Sequence, residues 1–79
     1  MQHKTKEDET EQQLNSGHYH EVMDRAAMLG NIWLREVQDL PATQRSNALK
    51  IHAEKVSLAI ADFYQASGMI YHQICVEEI

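Results

Sequence analysis

Apolar residues recur every three or four positions through most of this chain, which is the spacing of one face of an α-helix. The longest such series lies in the second half of the chain, and Ser67 is its only polar member. It consists of Leu49, Ala53, Val56, Ile60, Phe63, Ser67, Ile70 and Ile74. We expect this series to form one face of a long helix, against which the rest of the chain packs.

A second series with the same spacing runs from about residue 18 to residue 39. It comprises Tyr19, Val22, Ala26, Leu29, Trp33, Val37 and Leu40, with Met23, Ala27, Gly30 and Leu34 in a neighbouring row. Two adjacent rows make a wide apolar face, which is typical of a helix buried in a bundle. A glycine inside a helix costs about 1 kcal/mol relative to alanine. Because Ala26 and Ala27 are also small, we expect a close helix–helix approach near Gly30.

The segment DLPAT at residues 39–43 predicts the turn between these helices. Pro41 disfavours helical geometry at Leu40 but suits the first turn of a following helix, and Thr43 is an alternative cap. So short a connection brings two helices back antiparallel. The predicted fold is therefore all-α: an antiparallel two-helix hairpin, with a short third helix as an option, assembling into a dimeric helical bundle.

Two interpretations of Ser67 and Gly68 stay open. The glycine either ends the second helix, so that a short third helix follows, or the helix continues because Ile70 and Ile74 keep the spacing. A continuous helix of ~32 residues would be about 48 Å long and would overhang the first. Exposed apolar side chains mark contacts. We therefore predict a partner interface at this end of the hairpin, formed by Tyr19, Met69, Ile70, Tyr71, Ile74 and Val76.

Length and composition limit what this fold can do alone. Residues 1–16 are polar and mostly acidic and are predicted to be a flexible tail, which leaves residues 17–79 as the hairpin domain. A core this small supplies little net stability, and Cys75, the only cysteine, cannot form an internal disulfide. Self-association or a partner protein is the remaining way to stabilise the fold.

Charge and hydropathy narrow the class of protein further. The net charge of −5 disfavours general nucleic-acid binding and binding to anionic membranes. No apolar run approaches the length that spans a bilayer, and the polar N-terminus does not resemble a signal peptide. We expect a protein of the cytoplasm whose partners are itself and another protein.

Candidate chemistry is sparse. His20 and Asp24, and likewise His72 and Cys75, share a helix face, but zinc sites need three or four converging ligands, so no metal or cofactor is predicted. Cys75 with His72 as its base lacks a substrate pocket, so no enzyme is predicted. The histidines and tyrosines near the open end of the hairpin would suit a protein contact.

The start of the second helix carries a mildly basic side formed by Arg45, Lys50 and Lys55. A dimer would bring two such sides together. These residues are therefore the candidate anion-binding set in an alternative interpretation, in which a dimeric hairpin binds RNA or a nucleotide-type ligand.

Several short segments resemble small helical-hairpin proteins encoded in phages and prophages: HEVMDR at residues 20–25, DLP at 39–41, Ala53 and Ala59, and FYQASG at 63–68. The architecture is also similar to plasmid copy-control hairpins that bind RNA and to helical co-chaperones of type III secretion. These resemblances imply binding to other macromolecules and carry over no functional residue. The function expected from the sequence is thus a non-enzymatic interaction protein: an adaptor, an inhibitor of a host factor, or a co-chaperone.

Overall fold

The computed structural model describes residues 14–78, and within them every regular element is helical. Helix α1, Ser16–Trp33, continues into a five-residue π-helical segment, Leu34–Gln38. After a turn come the short helix α2, Pro41–Arg45, and the long helix α3, Asn47–Glu78. Helices α1 and α3 pack side by side along their length. The predicted all-α class and the hairpin are confirmed for these residues.

Asn15 caps the start of α1. Its side-chain oxygen accepts a hydrogen bond from the backbone amide of Gly17 at 2.8 Å. The backbone amide of Asn15 in turn donates to Nδ1 of the His18 side chain at 3.0 Å. This reciprocal arrangement satisfies amides that the first helical turn leaves unpaired. The helix therefore begins at Ser16. The tail predicted for residues 1–16 lies almost wholly outside the described residues, as does Ile79.

Side chains from α2 donate hydrogen bonds to backbone carbonyls at the end of the π-helical segment. The Thr43 hydroxyl donates to the Val37 carbonyl at 2.8 Å, and the Gln44 side-chain amide donates to the Gln38 carbonyl at 2.7 Å. These carbonyls belong to the last helical turn, which has no intrahelical donors. Pro41 opens α2 at its first position, as predicted. Thr43 is not a helix cap, as the alternative had it, but a buried residue that fixes the turn.

The second helix does not start near Thr43 as one continuous element. Ser46 adopts an extended backbone, with φ −92° and ψ 113°, which separates α2 from α3. Its side-chain oxygen accepts from the Leu49 amide at 3.2 Å and so caps α3. The additional short helix therefore lies at the turn and not at the C-terminal end.

Helix α3 continues through Gly68 and has 32 residues. Its last turn lies beside the first turn of α1, as shown by the hydrogen bond that the Ser16 backbone amide donates to the Glu78 carboxylate at 2.6 Å. The expected overhang at this end is therefore wrong. The extra length of α3 lies at the other end, where its first turns contact α2 and the π-helical segment.

The buried positions of the seam between α1 and α3 are occupied by small residues. Ala26 on α1 and Ala53 and Ser67 on α3 are buried, and Ala26 and Ala53 are the only buried apolar residues among those described. A Cβ atom placed on Gly30 would lie 3.3 Å from Cγ2 of Ile60, which confirms the expected close approach. The hairpin consequently has a thin core of its own.

The long apolar series of α3 does not all face α1. Ala53, Ile60, Ser67 and Ile74 do, but Leu49, Val56, Phe63 and Ile70 are exposed. Ser57 and Tyr71 take the alternate positions of the seam, where they are half-buried. The Ser57 hydroxyl donates to the side-chain oxygen of Gln38 at 2.7 Å, a cross-helix bond that an apolar residue could not make. The side of α3 that packs against α1 is therefore rotated by part of a helical turn from the side that the apolar spacing predicted.

Gly68→Ala is expected to raise the free energy of unfolding by about 0.5–1 kcal/mol, because a mid-helix glycine loses more backbone entropy than alanine. The added Cβ would lie 3.5 Å from the flexible Sδ of Met23, an ordinary contact. Urea denaturation followed by Trp33 fluorescence measures the change. Gly30→Ala is the matched control and should gain less, because its Cβ meets Ile60. A larger gain at Gly30 would contradict the seam described here.

Candidate functional site

One side of the hairpin presents a continuous apolar surface, which we call the groove face. It comprises Val22 and Leu29 on α1 and Leu49, Val56, Phe63 and Ile70 on α3. Each of these side chains is between 39% and 56% exposed. Exposed apolar residues scattered singly are normal on soluble proteins, but a contiguous row on two adjacent helices marks an interaction surface.

The spacing of α3 explains why these residues share one face. Leu49, Val56, Phe63 and Ile70 are seven residues apart, which is two helical turns. A row of four other exposed residues alternates with them at steps of three and four: His52, Ala59, Ala66 and Gln73. Helix α3 therefore carries two heptad-like series. One packs against α1, and the other has no partner among the described residues.

A groove of about 620 Å³ runs between the two helices on this face. Its walls are Val22 and Leu29 on one side and Val56 and Phe63 on the other, and the seam residues Ala26 and Ile60 contribute to its lining. A smaller depression of about 160 Å³ continues it past Val56 and Leu49 towards the turn, beside Trp33. The groove is thus long and lined by hydrocarbon.

Two cations stand beside this groove, one on each helix. Arg25 Nη2 lies 2.8 Å from the Glu21 carboxylate, so its charge is already paired, and Lys55 extends from α3. Both long side chains can keep their charged ends in water while their methylene groups cover apolar surface. The groove can therefore be covered without burying an unpaired charge.

The opposite side of the hairpin has a second groove of about 440 Å³. Its lining mixes apolar and polar side chains: Leu34, Leu58 and Ala61 lie beside Asn31, Ser57 and Tyr64. Because Ser57 and Gln38 already bond to each other there, this side is less suited to a dry contact than the groove face.

The predicted partner interface divides into two groups. Tyr19, Tyr71 and Ile74 are half-buried in the seam, and only Met69, Ile70 and Val76 are exposed. Of these three, Ile70 belongs to the groove face. Sequence reasoning missed the other groove residues, because it assigned Val22, Leu29, Leu49, Val56 and Phe63 to the core. The seven-residue spacing on α3, beside a seam of small residues, is the signal that could have separated them.

Of the histidines and tyrosines predicted to cluster at the open end, His20 and Tyr71 are in contact. The rings of His20 and Tyr71 meet edge to face, with centroids 5.2 Å apart. A hydrogen bond with the neighbouring Cys75 thiol raises the pKa of Tyr71 above its ordinary value of 10.0, with a further contribution from the negative charge of that thiol when ionised. Tyr71 is therefore a neutral phenol at physiological pH. Its contacts join α1 to the last turns of α3.

Arg45, Lys50 and Lys55, the candidate anion-binding residues, are all exposed. Ion pairs within residues 14–78 join Glu21 to Arg25 and Arg35 to Glu36, so these three cations have no carboxylate partner in that part of the chain. Lys50 and Lys55 are five positions apart in the sequence, which places them about 140° apart around α3. They do not converge on one ligand in a single hairpin, and the anion-binding interpretation stays a prediction.

Residues 14–78 contain no group of three histidine, cysteine or acidic side chains placed to hold a metal ion. Among the helices described, none is both long and apolar enough to cross a membrane. No protein-family profile, curated protein or solved structure matches this chain.

Proposed function

We propose that this chain is a non-enzymatic helical interaction protein that acts through its groove face. An adaptor, an inhibitor of a host factor and a co-chaperone are the roles that such a surface supports, in keeping with the resemblance to phage-type hairpins. The observation that carries the proposal is the row of six half-exposed apolar side chains on two adjacent helices. Docking of amphipathic helices into apolar grooves is a recurring mode of protein recognition.

The energetics of covering this face favour the proposal. Complete burial of a large aliphatic or aromatic side chain is worth about 1.5–3 kcal/mol, so burying the remaining half contributes roughly 0.7–1.5 kcal/mol. Six such side chains contribute about 4–9 kcal/mol. That is comparable with the lower part of the ~4–15 kcal/mol that association costs in lost freedom. An occupant with an apolar face of similar size also buries its own side chains, which doubles the favourable free energy of burial.

Site-specific photo-crosslinking in the native cell tests the proposal. A benzophenone amino acid at Phe63 lies in the groove, and the same amino acid at Met28 lies on the outer face of α1 with almost equal exposure, 56% against 55%. Irradiation should give protein adducts from position 63 and few from position 28. Equal yields from both positions, or no protein adduct from position 63, would contradict the proposal.

A further inference from the structure

We propose that a second copy of this chain occupies the groove face, so that two hairpins pack face to face as a four-helix bundle. This inference rests on the proposed function and names the occupant of the same surface. The groove face joins exposed apolar side chains of two adjacent helices around a groove of about 620 Å³.

The heptad spacing on α3 is the first argument. In a four-helix bundle each helix packs against two neighbours, so it needs two seams with steps of three and four residues. Helix α3 has both: one seam contains Ala53 and Ile60 and meets α1, and the other contains Val56 and Phe63 and is exposed. Small residues alternate with the large ones in the exposed seam, at Ala59 and Ala66, which allows close approach.

The size of the face is the second argument. Leu49 and Ile70 are 21 residues apart, or about 32 Å along the helix, and two helices side by side are about 20 Å wide. The footprint is therefore about 640 Å² on each copy and about 1,300 Å² in total. This falls within the roughly 1,200–2,000 Å² that stable protein–protein interfaces bury. An isologous dimer reaches it because the same apolar face serves on both sides.

The composition of the rest of the chain is the third argument. Residues 1–13 contain no large apolar residue besides Met1, so that segment has nothing to fill six apolar positions. A second copy supplies a face of matching length and chemistry. It also supplies the additional burial that a hairpin with two buried alanines lacks.

Light scattering on the full chain tests the inference with a matched pair of variants. The unaltered protein should have twice the chain mass of 9.1 kDa. Phe63→Glu should weaken the dimer at least 100-fold, because it places a charge in the apolar contact. Leu58→Glu should leave the dimer intact, since Leu58 is more exposed but lies on the opposite side. A monomeric unaltered protein, or dissociation only by Leu58→Glu, would overturn the inference.

A measurement on the unaltered chain covers the case in which Phe63→Glu does not fold. Phe63 is the only phenylalanine, so its ring protons are identifiable. In a mixture of isotope-labelled and unlabelled copies, filtered NOE spectra should join this ring to groove-face methyl groups of the other copy. Contacts that are all intramolecular would overturn the inference. If position 63 crosslinks only to a different protein, the proposed function stands and the second copy is excluded as the occupant.

Discussion

Trp33→Ala is expected to lower the free energy of unfolding by about 2–4 kcal/mol, a large loss for a hairpin with so thin a core. The indole is half-buried at the turn end of the seam, and its Nε1 donates to the Ala53 carbonyl at 3.1 Å. Truncating a large aromatic residue leaves a cavity and, in this case, also removes a cross-helix hydrogen bond. Thermal and urea unfolding followed by circular dichroism measure the loss, since the only tryptophan is removed.

Two companion variants separate the contributions at this site. Trp33→Phe keeps most of the ring but loses the donor, so it should cost about 1 kcal/mol plus the smaller packing loss. Met28→Ala removes an exposed side chain from the same helix and should stay within about 0.5 kcal/mol of the parent protein. If Trp33→Ala were no more harmful than Met28→Ala, the turn end of the hairpin would not be packed as described.

Leu29→Glu is expected to weaken binding at the groove face at least 30-fold. The carboxylate would have to be desolvated in an apolar contact, and central interface residues contribute 2 kcal/mol or more when altered, with about tenfold in affinity for each 1.4 kcal/mol. The readout is the photo-crosslink yield from position 63, which registers any protein occupant, including a second copy. Helix content by circular dichroism shows whether the hairpin is retained.

Met28→Glu is the matched control for this substitution. Met28 and Leu29 are adjacent on α1 and equally exposed, at 55% each, but they point about 100° apart, and only Leu29 lines the groove. Met28→Glu should leave the crosslink yield unchanged. Equal losses from both variants would indicate a general effect of added negative charge and would contradict a contact confined to the groove face.

Periodicity predicted much of the fold. The three- and four-residue steps indicated both helices, Pro41 located the turn, and the small residues around Gly30 indicated the close approach that is observed at Ile60. These features depend on local geometry and on steric size, which a single sequence records directly. The cap at Ser46 and the side-chain bonds of Thr43 and Gln44 depend on how the turn folds back, which residue type does not specify.

The candidate site was harder to predict because apolar character does not say which neighbour a residue meets. Val56 and Phe63 belong to the same apolar stripe as Ala53 and Ile60, and a wide stripe can be rotated by part of a turn without changing its pattern. Two hydrogen bonds fix which side of α3 faces α1. The Ser57 hydroxyl donates to the Gln38 side chain, and the Trp33 indole donates to the Ala53 carbonyl. Ala53 and Ile60 consequently face α1, and Val56 and Phe63 face solvent.

Solvent access to the ring of Phe63 tests most directly whether the groove face is covered in solution. Growth with 4-fluorophenylalanine labels this position alone, since the chain has one phenylalanine. The change of the fluorine chemical shift between H₂O and D₂O then reports contact with water. An isolated hairpin leaves the side chain 56% exposed, whereas a covered groove excludes water. We predict a shift change close to zero in the native chain and, after denaturation in urea, a change as large as that of a fully exposed ring. A native value as large as the unfolded one would mean that the groove face is uncovered in the isolated protein and would contradict a second copy as its occupant.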